Sequence, residues 1–337
     1  MFVPGSFTAA LLLTILCTIC WGSFANTFKL TKNYRFDLYY WDYGIGIFLV
    51  SLGYAFTLGS MGGGIFSFLP NLRQADPIFL FYAALGGFIF NIANVLLVAG
   101  IDMVGLAVAF PLSIGIALVE GTALSYLIHP QGSAGLLAAG VLMALVAVVF
   151  IGAAYATRGA ASAVSSRKGT MVCLVSGVLM GVFAPLITKA TQGAHPDASL
   201  LVSSGALSPY SAAVLMTFGA FLCCFVFNPI LMRRPLVGEP VSISEYFSAP
   251  AGYHALGLLG GAIWGTGTVL NFVAGRFVGL PISYAIGQAS PMIATLWGVV
   301  AWHEFRSARR KSWLYLAAMV ASYLLALVLI ALAYRAG

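Results

Sequence analysis

The sequence predicts an all-α polytopic membrane protein, with ten transmembrane helices arranged as two inverted five-helix repeats. Three observations predict it. Ten apolar stretches of about twenty residues each fill nearly all of the 337-residue chain. A bilayer core about 30 Å thick takes roughly 20 apolar residues per helical crossing, and backbone polar groups left bare in lipid force such stretches to be helical. Charged residues are 7% of the chain and lie mostly between the stretches. Landmarks of one half also recur in the other.

The first stretch, Thr8–Phe28, lacks a basic start and an A-x-A cleavage site, so a retained helix is expected rather than a signal peptide. Leu38–Leu58, Pro77–Val98, Met103–Leu127 and Ala134–Tyr155 complete the first half. Between the second and third, Met61–Asp76 is long for a turn and is expected to hold a short interfacial segment. The second half runs Met171–Ala190, Pro209–Leu231, His254–Ala274, Gly279–Trp302 and Trp313–Ala333. Loops of at most about twenty residues leave no room for a soluble catalytic domain.

Orientation follows from the basic residues. One side holds Lys29, Lys32, Arg35, Arg158, Arg167, Lys168, Arg233, Arg234, Arg306, Arg309, Arg310 and Lys311. The other holds Arg73, Lys189, Arg276 and Arg335. The positive-inside rule therefore expects both termini outside the cytoplasm. The net charge of +7 marks cytoplasmic loops, so nucleic acid is not an expected partner; the lipid bilayer is.

The repeat is read from short matches. Val104-Gly105-Leu106 recurs as Val278-Gly279-Leu280, 174 residues later. Gly22-Ser23-Phe24-Ala25 resembles Gly181-Val182-Phe183-Ala184. The expected halves are residues 1–157 and 158–337. Five helices is an odd number, so the second half enters the membrane inverted, a plan that puts the substrate site near the midplane.

No Walker-type loop, H-E-x-x-H or G-x-S-x-G in a span is present. Cys17 and Cys20 form a C-x-x-C on an apolar helix with no histidine or carboxylate beside it. No metal or cofactor is expected, and the chain is not read as an enzyme. A lipid-modifying enzyme would need a clustered catalytic set, and two distant carboxylates do not supply one.

Those two are Asp42 and Glu120. An ionisable group at membrane depth is costly, roughly 2.5–3.5 kcal/mol, and is a functional candidate by default. Glu120 lies well inside the fourth stretch, among the small residues Ser113, Ala117 and Ala123. Two readings stand: a proton carrier, or a protonated acid bonded to a neighbouring helix. Asp42 lies one turn into the second stretch, where it either serves coupling, caps the helix or pairs with Lys29 or Lys32. Neutral polar residues mark a candidate substrate pocket. Trp21 and Asn26 lie in the first stretch, and Asn91 and Asn94 share a face of the third. Trp264, Thr268 and Asn271 share a face of the eighth, and Tyr284 and Gln288 share one of the ninth. Amides and aromatic faces together suit an uncharged polyhydroxy or amide ligand. Hydrogen-bonded glue between helices is the alternative for each residue.

Several segments carry a family resemblance. Cys20-Trp21-Gly22-Ser23-Phe24 resembles the signature of bacterial glucose/ribose porters. Gln288-Ala289-Ser290 through Leu296-Trp297-Gly298, then His303-Glu304-Phe305, resembles their penultimate helix. Tyr40-Trp41-Asp42-Tyr43 and the Thr295–Arg306 segment look like plant ureide permeases. The chain thus resembles the sugar-porter and ureide-permease branch of the drug/metabolite transporter superfamily along its full length. It lacks the long central loop of the plant proteins, because Arg158–Lys168 is short. The resemblance to the Asp-Tyr segment keeps Asp42 a coupling candidate. It implies a carrier in the inner (plasma) membrane of a bacterium. The expected function is secondary active transport of a small neutral solute by alternating access, foremost a monosaccharide in symport with protons. The alternative substrate is a ureide or nucleobase. His303 and Glu304 are read as structural.

Overall fold

The computed structural model describes residues 1–32, 34–158, 167–191 and 205–335. Among these, nine helices are long and apolar enough to cross a membrane, and the chain is an integral, polytopic, helical membrane protein. The first half contains α1 (Phe7–Ser23), α2 (Ala25–Lys29), α3 (Phe36–Phe56), α4 (Phe68–Gln74), α5 (Pro77–Val104), α6 (Leu106–Ala109), a π-helical turn (Phe110–Ile114), α7 (Gly115–Ile128) and α8 (Ala134–Thr157). The second contains α9 (Arg167–Ala190), α10 (Pro209–Arg233), α11 (Ile243–Phe247), α12 (Ala251–Val278), α13 (Leu280–Gly287), α14 (Ser290–Val300) and α15 (Arg310–Arg335).

Local chemistry sets the boundaries. Ser6, Asp76, Ser133 and Ser208 each accept a hydrogen bond from a first-turn N–H, of α1, α5, α8 and α10, satisfying donors that a helix start leaves orphaned. Pro77 and Pro209 begin α5 and α10, where a missing N–H costs nothing. Met61–Asp76 holds α4, tied down by Asn71, which donates to Ala206 O at 3.1 Å and accepts from Ser208 N at 2.8 Å.

Two expected boundaries are corrected. The stretch 279–302 is not one helix: it breaks at Gln288-Ala289 into α13 and α14. Pro291, in the first turn of α14, cannot donate back across the break, the usual cause of a kink. The third stretch does not end at Val98 but continues to Val104. A single aspartate, Asp102, is no helix breaker.

Two long helices share detail beyond the short sequence matches. α5 and α12 are each 28 residues long. Each ends at a glycine with positive φ, Gly105 at 74° and Gly279 at 89°, and each is followed by an interrupted helix. Partners exchange between the halves as well: α5 packs on α9 and α10, whereas α12 packs on α1 and α3. At the two central crossings only glycine fits. A Cβ on Gly87 of α5 would lie 1.7 Å from Met216 O of α10, and one on Gly261 of α12 would lie 2.2 Å from Tyr43 O of α3. Small residues let helix backbones approach this closely.

The bundle has two distinct ends. At one, Lys29 and Arg158 reach Glu304, Arg35 reaches Glu239 O, and Lys168 reaches Leu236 O. The basic loops counted on one side of the membrane therefore meet here. At the other end the N-terminal amine donates to Met61 O, Phe7 stacks on Tyr334 and Ser133 N donates to Ala333 O.

Candidate functional site

Between α1, α5, α9, α12 and the α13–α14 break lies a cavity of about 320 Å³. Its inner wall is aromatic. Trp264 stacks on Phe90 with centroids 4.6 Å apart and on Trp21 at 5.9 Å. Phe183 meets Phe90 edge-on at 5.3 Å. Phe24, Phe28, Phe36 and Tyr39 extend this wall toward the basic end. Polar groups are few: Asn94, Gln288, Ser290 and Asp102.

Of the expected pocket residues, Trp21, Asn94, Trp264 and Gln288 line the cavity. Asn94 donates through Nδ2 to Tyr40 Oη at 3.0 Å, which leaves its carbonyl oxygen as an acceptor. The Gln288 side-chain amide makes no hydrogen bond among the described residues. It sits at the helix break, where the chain turns its face toward the cavity.

The others are placed differently. Thr268 accepts from Trp21 Nε1 at 3.2 Å and itself donates to the Trp264 backbone carbonyl, so it holds the Trp21 indole without lining the cavity. Asn271 donates to Ser283 O at 2.8 Å, and Ser283 Oγ returns a bond to Asn271 O at 2.7 Å, locking α12 to α13. Tyr284 donates to Ala117 O at 3.1 Å, joining α13 to α7. Asn26 accepts from Trp302 Nε1 at 2.6 Å and donates to Ser23 O. Asn91 accepts from Cys224 Sγ at 3.8 Å. The Thr268–Trp21, Asn271–Ser283, Tyr284–Ala117, Asn26–Trp302 and Asn91–Cys224 contacts bridge elements within the bundle, as interhelical glue does.

The two expected carboxylates lie off the cavity. Glu120 sits in α7 against α9, where a Cβ on Gly181 would be 2.8 Å from its Oε2. Asp42 is buried and pairs with neither Lys29 nor Lys32. It accepts from Tyr246 Oη at 2.8 Å and from His254 Nδ1 at 2.7 Å, pinning α11 and α12 to α3. Lys29 instead pairs with Glu304, which also accepts from Tyr155 Oη at 3.0 Å and Arg158 Nη1 at 3.2 Å. Burial alone would raise the Glu304 pKa; the bonds from Lys29 and Tyr155 and the Arg158 charge outweigh it and hold the carboxyl below its ordinary value.

Sequence reasoning missed Asp102. The extra turn of α5 places it in a membrane-spanning helix, as Asp37, Asp42 and Glu120 also are, and it lines the cavity. It also lines an adjoining vestibule of about 240 Å³ with Tyr34, Arg35 and Asp37, and the two spaces share Phe28, Phe36, Val98 and Asp102. The cavity thus leads to the basic end. The signal available was the apolar run on both sides of Asp102, which a helix could cross.

Comparisons with known proteins agree with this architecture. The family model described as ureide permease matches residues 39–168 and 162–333. Ureide permease 4 of Arabidopsis thaliana is 23% identical over 98% of this chain and 98% of its own length. Ureide permease 1 of the same plant is 22% identical, over 86% of this chain and 87% of its own. The probable glucose uptake protein GlcU of Bacillus cereus is 23% identical, over 79% and 86%. A protein of known crystal structure, 16% identical, shares the fold with a TM-score of 0.66 over 98% of this chain and 99% of its own.

Proposed function

The chain belongs to the ureide permease family, a family of transporters, and we propose from that premise that it is a secondary carrier for a small, uncharged, planar solute of the ureide or nucleobase class. The cavity's composition carries this reading. Its volume, about 320 Å³, lies at the small end of ligand sites. Aromatic faces dominate it, and two of its few polar groups are amide-like, the unengaged Gln288 amide and the Asn94 carbonyl oxygen, beside the Ser290 hydroxyl and the Asp102 carboxylate. A flat ring bearing alternating N–H and C=O groups satisfies both kinds of surface. A monosaccharide exposes a hydroxyl on nearly every carbon, and each one stripped of water without a partner costs about 1–3 kcal/mol. The sugar reading keeps two supports: the likeness to a probable glucose uptake protein of Bacillus cereus and the Trp21 and Trp264 faces, which suit sugar C–H groups.

The proposed mechanism is alternating access, driven by protons, in a ten-span bundle of two inverted repeats, residues 1–157 and 158–337. The 28-residue pair α5 and α12 and the exchanged packing partners support the repeats. With the basic end cytoplasmic and both termini outside, the cavity described here is inward-facing. The proposed setting is a bacterial inner membrane.

The test is a thermal-shift series on the purified carrier with allantoin, uracil, glucose and ribose. A ligand stabilises by RT ln(1 + [L]/Kd), about 2.7 kcal/mol at a hundredfold excess over Kd. Allantoin or uracil is expected to raise the melting temperature. A rise with glucose or ribose alone would replace this reading with the sugar one.

A further inference from the structure

We propose that Asp102 is the group through which proton binding is coupled to opening of the vestibule, and that Arg35 reads its charge. The inference rests on the carrier reading above but names a residue that the family resemblance did not.

Asp102 is the carboxylate common to cavity and vestibule. It occupies the last turn of α5, where helix carbonyls present negative partial charge and an anion is disfavoured. A second carboxylate, Asp37, lines the same vestibule. Asp37 is better placed, in the first turn of α3 at the positive end of that dipole. The cation lining the vestibule is Arg35, already committed twice: Nη2 donates to Asp37 Oδ2 and Nη1 to Glu239 O, both at 2.6 Å. The remaining groups facing this space add little charge. Burial and the Asp42 charge push the Tyr34 phenol up to about 12, so it stays neutral. Lys168, at the start of α9, is exposed and turned to Leu236 O at 3.4 Å. The α14 residues lining the cavity, Ser290, Pro291 and Ala294, carry no charge.

Arg35 is therefore the arbiter. Its bond to Glu239 O holds down the loop after α10, whose Pro235, Leu236 and Val237 wall the vestibule. With a proton on Asp102, the guanidinium stays on Asp37 and Glu239 O, and the loop stays tied. When the proton leaves to vestibule water, Asp102 becomes a second anion competing for Arg35. The neutral carbonyl bond is weaker than the Asp37 ion pair, so it yields first and frees the loop. Glu120, half-buried between α7 and α9, lines neither the cavity nor the vestibule where Arg35 sits.

Hydrogen exchange of residues 235–242 in the intact carrier tests the switch without any substrate. After correction for intrinsic rates, wild-type protection should be about tenfold greater at acid than at alkaline pH. Asp102→Asn should show high protection at both, and Arg35→Gln low protection at both. Wild-type pH dependence persisting in Asp102→Asn overturns the proposal. Failure to find a transported solute would sink the carrier reading while leaving this result standing. In proteoliposomes, Asp102→Asn should exchange allantoin or uracil across the membrane but lose accumulation driven by a pH gradient, whereas Glu120→Gln should keep both. Loss of exchange in folded Asp102→Asn would make the residue a substrate ligand and overturn its coupling role.

Discussion

Asp102 and Arg276 occupy the same place in two helices of equal length, each three residues before the glycine that ends its helix. Their surroundings are opposite. Asp102 faces an open vestibule, whereas Arg276 is 6% exposed at the far end of the bundle. Near Arg276 the seams are shut by neutral bonds, Asn271 with Ser283 and Tyr284 with Ala117. Near Asp102 the ties are ionic and run through loops, Lys29 and Arg158 to Glu304 and Arg35 to Asp37. Similar backbones in different surroundings show that α5 and α12 differ in side chains at their ends while agreeing at the glycine crossings. In the proposed scheme that asymmetry is the inward-facing state.

The comparison is broken most severely at its shared part. Gly87→Ala and Gly261→Ala each force a Cβ into a backbone carbonyl, so each should cost more than the roughly 1–3 kcal/mol of ordinary overpacking. Folded yield by size-exclusion chromatography should collapse in both. Survival of one alone would mean that the halves are not mechanically equivalent.

Glu304→Gln comes next. It removes the negative charge and one of the two carboxylate oxygens that accept from Lys29 and Arg158 at the open end, and hydrogen bonds to charged groups contribute about 1.5–3 kcal/mol each. The pH dependence has a definite sign. The folded Glu304 pKa lies below its ordinary value, so its contribution is present above the ordinary glutamate range and is lost as pH falls through the lowered folded value. Acid should raise hydrogen exchange around 303–306 and leave the Asn271–Ser283 seam unchanged. Equal loosening at both ends would erase the distinction drawn between ionic and neutral ties.

Gln288→Ala should weaken ligand affinity about tenfold, or roughly 1.4 kcal/mol, with little change in melting temperature. Asn271→Ala should do the reverse, lowering stability by about 1 kcal/mol and leaving affinity nearly intact. Titration calorimetry and thermal melts on the same samples would separate them. If both variants lose affinity equally, the cavity boundary drawn here is misplaced.

The helices were legible because apolar runs bounded by basic loops leave few other choices in lipid. The site was legible only in part. Spacing placed Tyr284 and Gln288 on one face, but that argument assumes an unbroken helix. The break after Gly287 separates the roles of its neighbours: Tyr284 reaches α7 and Gln288 reaches the cavity. Thr268 shows a different limit. Whether a buried hydroxyl meets a ligand or an indole depends on a residue 247 positions away, and spacing within one helix does not contain that. Asp102 was missed because a carboxylate between Gly100 and Gly105 reads as a loop, although Gly105 alone ended the helix.

The glycine crossings have a mechanical consequence. Where backbones touch, as at Gly87 on Met216 O, Gly219 on Ala84 O, Gly46 on Leu258 O and Gly261 on Tyr43 O, helices have no compressible side chains between them and cannot slide. The glycine contacts thus join α5 to α10 and α3 to α12 as two close pairs. α1 and α14 also touch, at Gly22 and Ser290 O, as do α9 and α7 at Gly181 and Glu120. Phe90 and Trp264 stand on the glycine-joined pairs, while Trp21, Phe183 and Ser290 lie on the other helices. Under the proposed alternating access these two sets of walls would move relative to each other around a solute, and a change in the Trp21–Trp264 distance would report that motion.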